Sequence, residues 1–292
     1  MKHLLLILIL LVFAAGCQQP SGVELVTPPE EDLEITAIAG TDTAYARPSV
    51  DSSAVLPGEH DAFPGLLTVN KIKYDATGSV SDSLAFSRVF LADRLHPVQV
   101  LGRTVGYPGF DLGPSISLNG TPVLRLPHVI PIRRVLLDTI ILAGYEYVVP
   151  LTTTYQANTE YRWIAQPSVL SGFNIVIRTP DELIVESPRG GSIVSRNEDL
   201  ELRWRGQGGQ FWIIVSKVEP ISRRVIPLLR LQPRVNRGYA IVPSKVLRAL
   251  PRDQRYVLTF VLANRSQATV DGYPDRILVQ AASVYNSYVE IR

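Results

Sequence analysis

Asp199-Leu200-Glu201-Leu202-Arg203-Trp204 alternates polar and apolar side chains, and Gly206-Gln207-Gly208-Gly209 then turns the chain into Phe211-Trp212-Ile213-Ile214-Val215-Ser216. A period of two puts Leu200, Leu202 and Trp204 on one face of a strand, and the nearly continuous apolar run after the glycines reads as a more deeply buried strand. Toward the C-terminus the same texture returns in Val225 to Leu231, Gly238 to Val242, Tyr256 to Ala263 and Ile277 to Ile291. Between them Pro243-Ser244-Lys245-Val246-Leu247-Arg248-Ala249-Leu250 reads as one short helix, with Ser244 as a candidate N-cap and Pro251 just past its end.

The N-terminal half repeats the pattern. Leu67 to Tyr74, Ser83 to Leu91, Val98 to Val105, Tyr161 to Ala165 and Phe173 to Arg178 are short runs of β-favouring residues bounded by turn formers. Leu118-Asn119-Gly120-Thr121 is the clearest hairpin signal, because Asn-Gly accepts the positive φ angles of a two-residue turn. Ala143-Gly144, between Arg133 to Leu142 and Tyr145 to Val149, reads as a second hairpin turn. A helix over Val129 to Leu142 is the alternative there, limited by Pro127 and Pro131. Asp75 to Asp82 reads as a turn, since it lacks the alternating carboxylates of an EF-hand.

With 22 prolines and 20 glycines among 292 residues and 46% hydrophobic content, the composition suits many turns, few long helices and a substantial core. The fold class expected is all-β, with two antiparallel β-sandwich domains. A transition over Thr179 to Gly191 divides them into residues 63–182 and 183–292. Ahead of both, residues 17–62 are rich in proline and acidic residues and read as a flexible tether, with Glu30-Glu31-Asp32 as solvated linker. Within it the partly alternating Leu33 to Ala39 is a candidate edge strand.

Ser187-Pro188, Gly190-Gly191, the alternating strand ending in Trp204 and the strand after Gly209 resemble the opening of immunoglobulin-like and fibronectin-III-like modules of bacterial surface lipoproteins. The inter-sheet disulfide of antibody domains is absent, since the chain has one cysteine. The resemblance implies a role in adhesion, spacing or assembly.

That cysteine ends the first segment. Met1-Lys2-His3, an apolar run from Leu4 to Phe13, and Ala14-Ala15-Gly16-Cys17 follow the layout of a secretory signal peptide over residues 1–16. The run is too short for a bilayer span of about 20 residues. Ala14-Ala15-Gly16-Cys17 resembles the lipobox of bacterial lipoproteins, although leucine is commoner than Ala14 at its position. The resemblance implies lipidation of Cys17 and attachment to a membrane through it. Gln18 after the cysteine favours, by the same analogy, the outer membrane.

Function classes narrow further. The formal net charge of +2 falls to +1 once Lys2 leaves, which supplies no field for nucleic acid. His60, His96 and His128 lack the close spacing of metal sites, and no Gly-x-Ser-x-Gly elbow marks an esterase. Glu146, Glu160, Asp181 and Glu182 show no pairing that marks a glycosidase. Neither a catalytic group nor a metal or cofactor site is therefore assigned, and the protein reads as non-enzymatic. Aromatic side chains are the remaining candidates for ligand contact. Trp163 and Trp212 could stack on sugar rings, and Tyr145 and Tyr147 share one strand face by period two; Trp204 reads as core. The expectation is a lipid-anchored envelope protein whose partner is another envelope protein or a polysaccharide, with an envelope hydrolase as the remaining alternative.

Overall fold

The computed structural model describes residues 33–38, 63–133, 138–149, 155–168, 170–220, 225–252 and 254–292. The segment 1–16, Cys17 and His60 lie outside the described residues. Strand β1 (Leu33–Ala37) forms inside the stretch read as a tether, at the candidate edge strand. There follow β2 (Gly65–Asp75), β3 (Val80–Leu91), β4 (Val98–Val100), β5 (Arg103–Gly106), β6 (Ile116–Leu118), β7 (Thr121–Pro122), β8 (Leu124–Arg133), β9 (Asp138–Val148), β10 (Glu160–Ala165) and β11 (Phe173–Arg178). The C-terminal half adds β12 (Ile184–Ser187), β13 (Ile193–Val194), β14 (Leu200–Arg205), β15 (Gln210–Val218), β16 (Val225–Pro233), β17 (Tyr239–Val242), helix α1 (Ser244–Ala249), β18 (Gln254–Ala268) and β19 (Ile277–Ile291). The fold is all-β and sandwich-like.

A ten-stranded sheet has the order β1-β16-β15-β18-β19-β2-β3-β9-β8, with β13 alongside β19. Its centre departs from the antiparallel rule: β19 runs parallel to β2 from Ile277↔Gly65 to Ser287↔Asp75. Within the compact unit Asp32–Arg292 the sheet therefore passes straight across the 182/183 position at which two sandwiches were expected to part.

Each half still has its own core, and both cores lie on the same face of the large sheet. A four-stranded sheet, β11-β10-β6-β7, closes the first, bringing Ile116, Trp163 and Phe173 against Leu67, Val89 and Val279. A three-stranded sheet, β12-β14-β17, closes the second, where Leu202, Trp204 and Val242 meet Phe211, Phe260 and Tyr285. Strand β19 serves both: Ile277, Val279 and Ala281 enter the first core, and Tyr285, Val289 and Ile291 the second. Period-two alternation keeps all six on one face, and each large apolar side chain so buried contributes roughly 1.5–3 kcal/mol.

The connection between the halves crosses this face along a polar seam. Leu183 N–H donates to Ser283 Oγ at 2.9 Å, Ser287 Oγ donates to the Pro188 carbonyl at 2.7 Å, and Gly190 N–H donates to Asp75 Oδ2 at 2.9 Å. Glu182 Oε1 lies 2.9 Å from Lys71 Nζ and 2.5 Å from Lys73 Nζ. Burial opposes ionisation of Glu182, but the hydrogen bonds and charges of the two lysines outweigh it and hold the carboxyl below its ordinary value.

Two local expectations are corrected. Helix α1 forms where expected, but the cap position is Pro243, which offers no side-chain bond; Asp199 Oδ1 instead accepts the Ser244 N–H at 2.7 Å. Ala143-Gly144 is no hairpin turn, because β9 runs through it. Gly144 does take a positive φ of 72°, but a close backbone approach requires it: a Cβ there would lie 2.0 Å from the Gly109 carbonyl oxygen. Gly109 in turn donates to the Ala143 carbonyl at 2.9 Å and accepts from Tyr145 N–H at 3.1 Å. Gly144→Ala is expected to cost about 2–4 kcal/mol in urea unfolding, as backbone cannot give way to the new methyl. Gly120→Ala, with φ +78° but nothing within 4 Å, should cost only the left-handed penalty of about 1–2 kcal/mol.

Candidate interaction surface

Burial overturns the tryptophan platform. Trp163 and Trp212 are each 0% exposed and Trp204 is 2% exposed. Trp163 sits on the inward face of β10, whose alternating burial turns Tyr161, Trp163 and Ala165 into the first core. Trp212 faces the other side of the large sheet, beneath the guanidinium carbons of Arg265 and Arg230, 4.4 and 5.6 Å from its ring centroid. Trp204 stacks on Phe211 at 4.2 Å. Full burial leaves no tryptophan ring for a sugar to stack on.

The tyrosine pair is corrected in the same way. Tyr145 and Tyr147 do share a face of β9, but it is the inward one: Tyr147 is buried and Tyr145 half-buried. Tyr147 OH donates to Asp111 Oδ1 at 3.0 Å and accepts from Leu112 N–H at 2.6 Å. Burial, reinforced by the Asp111 hydrogen bond, pushes its hydroxyl up to about 12. Arg125 binds the other Asp111 oxygen and lays its guanidinium 3.6 Å above the Tyr145 ring centroid, covering one of that ring's faces.

The outward face of the same hairpin is apolar. β8 and β9 pair through Val129↔Leu142, Leu126↔Glu146 and Leu124↔Val148. On this face Ile140 is 65% and Leu142 72% exposed, and Leu124, Leu126 and Val129 are exposed beside them. Five large apolar side chains on one two-stranded ribbon make a patch rather than the scattered exposure that any surface shows. Beside the patch the ribbon carries charge and aromatic contact: Arg88 Nε lies 3.2 Å from Glu146 Oε2, and buried His128 packs its ring 4.5 Å from that of Phe90.

β8 is the terminal strand of the sheet. Pro127 and Pro131 deprive it of two N–H donors, a placement tolerated at a sheet edge because no further strand needs them. Strand addition at this edge is thereby discouraged, and the patch offers the ribbon's face to a partner. Sequence reading missed it because Leu124, Leu126, Val129, Ile140 and Leu142 look like core residues; only the pairing register, with no facing element among the described residues, turns them outward.

Elsewhere, His96 is exposed and its Nδ1 lies 2.7 Å from Asp93 Oδ2 in a loop. Among the described residues no three His, Cys, Asp or Glu side chains gather as a metal site, and no helix is long and apolar enough to cross a membrane.

No family model matches the chain, and no curated protein does. Among solved structures, the crystal structure of Dpr11 IG1 bound to DIP-gamma IG+IG2 aligns at 10% identity over 77% of this chain and 96% of that one, with a TM-score of 0.18, an overlap that falls short of a shared fold.

Proposed function

We propose that the protein is a lipid-anchored, non-enzymatic component of a bacterial cell-envelope assembly, held to the membrane, by preference the outer one, through Cys17 and docking a protein partner on the outward face of the β8–β9 hairpin. The observation that carries the docking reading is the exposed strip of Leu124, Leu126, Val129, Ile140 and Leu142 at the end of the sheet. An exposed apolar patch of this kind marks a contact surface for protein rather than for sugar, which needs open aromatic faces and polar groups. The anchor reading rests on the sequence around Cys17.

The test is in-cell photo-crosslinking of the full lipidated chain from position 142, with Ser266, an exposed residue of β18, as the control position. A discrete envelope protein captured from 142 and not from 266 is expected. The double variant Ile140→Asp/Leu142→Asp should keep the urea midpoint, because exposed positions shift stability by only about 0.5 kcal/mol, and should lose the partner. Unchanged partner recovery with that variant would refute the docking surface. Cys17→Ala should move the protein from the membrane to the soluble fraction; continued membrane association would refute the anchor.

A further inference from the structure

Strand β19 gives one of its sides to two partners in succession. β2 holds it as far as Ser287, and β13 takes it at Glu290 and Ile291, also in parallel. Parallel ladders bond alternate residues of a strand to one neighbour. In this chain those are Ser192, whose carbonyl accepts from Glu290 N–H at 3.0 Å, Val194, whose carbonyl accepts from Arg292 N–H at 2.9 Å, and Arg196, whose N–H donates to the Arg292 carbonyl at 2.7 Å. The N–H and C=O of Ile193 and Ser195 therefore point away from β19, where no strand pairs with β13 among the described residues.

A groove of about 510 Å³ lies on that side, lined by residues 186–189, 192–195 and 198–200 and by nothing from β19. The edge within it is open, with Ile193 63% exposed. Ser192-Ile193-Val194-Ser195 carries neither the proline nor the charge that blunts exposed edges, whereas β8 has Pro127 and Pro131. Glu186, Glu198 and Asp199 stand against the single Arg189 in the lining, which favours a basic occupant. Glu186 already pairs with Arg205 at 2.5 Å, and Asp199 Oδ1 accepts the Ser244 N–H. Glu198 is exposed and holds no ion pair among the described residues.

The geometry points to strand addition at β13. An extended segment of a partner protein lies in the groove, pairs its backbone with the N–H and C=O of Ile193 and Ser195, and sets a lysine or arginine beside Glu198. Main-chain hydrogen bonds supply the affinity in this mode, and the acidic lining selects the segment. The site shares no residue with the β8–β9 face and stands whether or not that face docks a partner.

The test is photo-crosslinking from position 193 of the full chain in cells, with position 266 as the control, followed by sequencing of the captured segment. One segment of a partner protein, carrying a lysine or arginine, is expected from 193 and not from 266. The synthetic peptide of that segment should bind the purified protein. N-methylation of one alternate set of its amides should weaken binding at least about tenfold more than methylation of the other set, because only one set faces β13. Ile193→Pro removes a donor that β19 does not use, so it should keep the urea midpoint and lose the peptide, while Ile193→Ala should keep both. Glu198→Arg should weaken binding by about tenfold. Where Ile193→Pro does not fold, the two methylated peptides decide the matter on the natural protein. The proposal is overturned by no capture above the 266 control, by capture of a segment of this same chain, by binding that survives Ile193→Pro, or by equal effects of the two methylated sets. Ile140→Asp/Leu142→Asp should leave peptide binding intact, so the two surfaces fail separately.

Discussion

Trp204→Ala lowers the free energy of unfolding by about 3–5 kcal/mol, the range for removing a large aromatic side chain from a core that cannot collapse around the gap. The ring fills the centre of the second core, stacked on Phe211 with an interplanar angle of 12° and 6.4 Å from Phe260. Its Nε1 donates to Asn236 Oδ1 at 2.8 Å, and Asn236 Nδ2 donates to the Gly206 carbonyl at 3.0 Å, so the indole also ties the β16–β17 connection to the chain leading into β15. Trp204→Phe separates the two contributions. It keeps a stacked ring but strands Asn236, and should cost about 1–3 kcal/mol. Urea midpoints of the three proteins at equal slope check the order; equal midpoints for Trp204→Phe and Trp204→Ala would mean that the hydrogen bond, not the packing, carries the effect.

Asp75→Ala should cost about 3 kcal/mol or more. The carboxylate is 1% exposed and accepts three hydrogen bonds: Gly78 N–H at 2.9 Å on Oδ1, and Gly190 N–H at 2.9 Å and Tyr285 OH at 2.8 Å on Oδ2. Removing it leaves buried donors without an acceptor, and each such loss is worth about 1–3 kcal/mol. Burial, then the hydrogen bond and charge of Asp75, push the Tyr285 hydroxyl up to about 12. Tyr285→Phe removes one of the three donors and should cost only about 1 kcal/mol. A smaller loss for Asp75→Ala than for Tyr285→Phe, measured by urea unfolding, would show that the carboxylate does not organise the seam.

Strands were easier to read in this chain than their partners. Ile277 to Ile291 and Phe173 to Arg178 appear at the expected ends because stretches dominated by β-branched and apolar residues lie between turn formers. Asn119 and Gly120 take φ of 49° and 78° in the turn joining Leu118 to Thr121, as Asn-Gly implied. Nothing local in Gly65 to Asp75, by contrast, announces a parallel neighbour some 200 residues away, and that pairing fuses two expected sandwiches through one sheet. The candidate ligand residues failed for a related reason. Alternation says that Tyr145 and Tyr147 share a face, but only the tertiary partners Asp111 and Leu112 show that it points inward.

Strand β1 sets a leash. Its five residues are zipped antiparallel to β16 from Leu33↔Pro233 to Ala37↔Leu229, so the chain is moored to the sheet from residue 33 onward. In the sequence, only the fifteen residues 18–32 then separate β1 from Cys17, the proposed lipid site. The sixteen Cα–Cα steps from Cys17 to Leu33 reach at most roughly 55 Å. If Cys17 carries the lipid proposed above, that distance is the farthest β1 would stand from the bilayer.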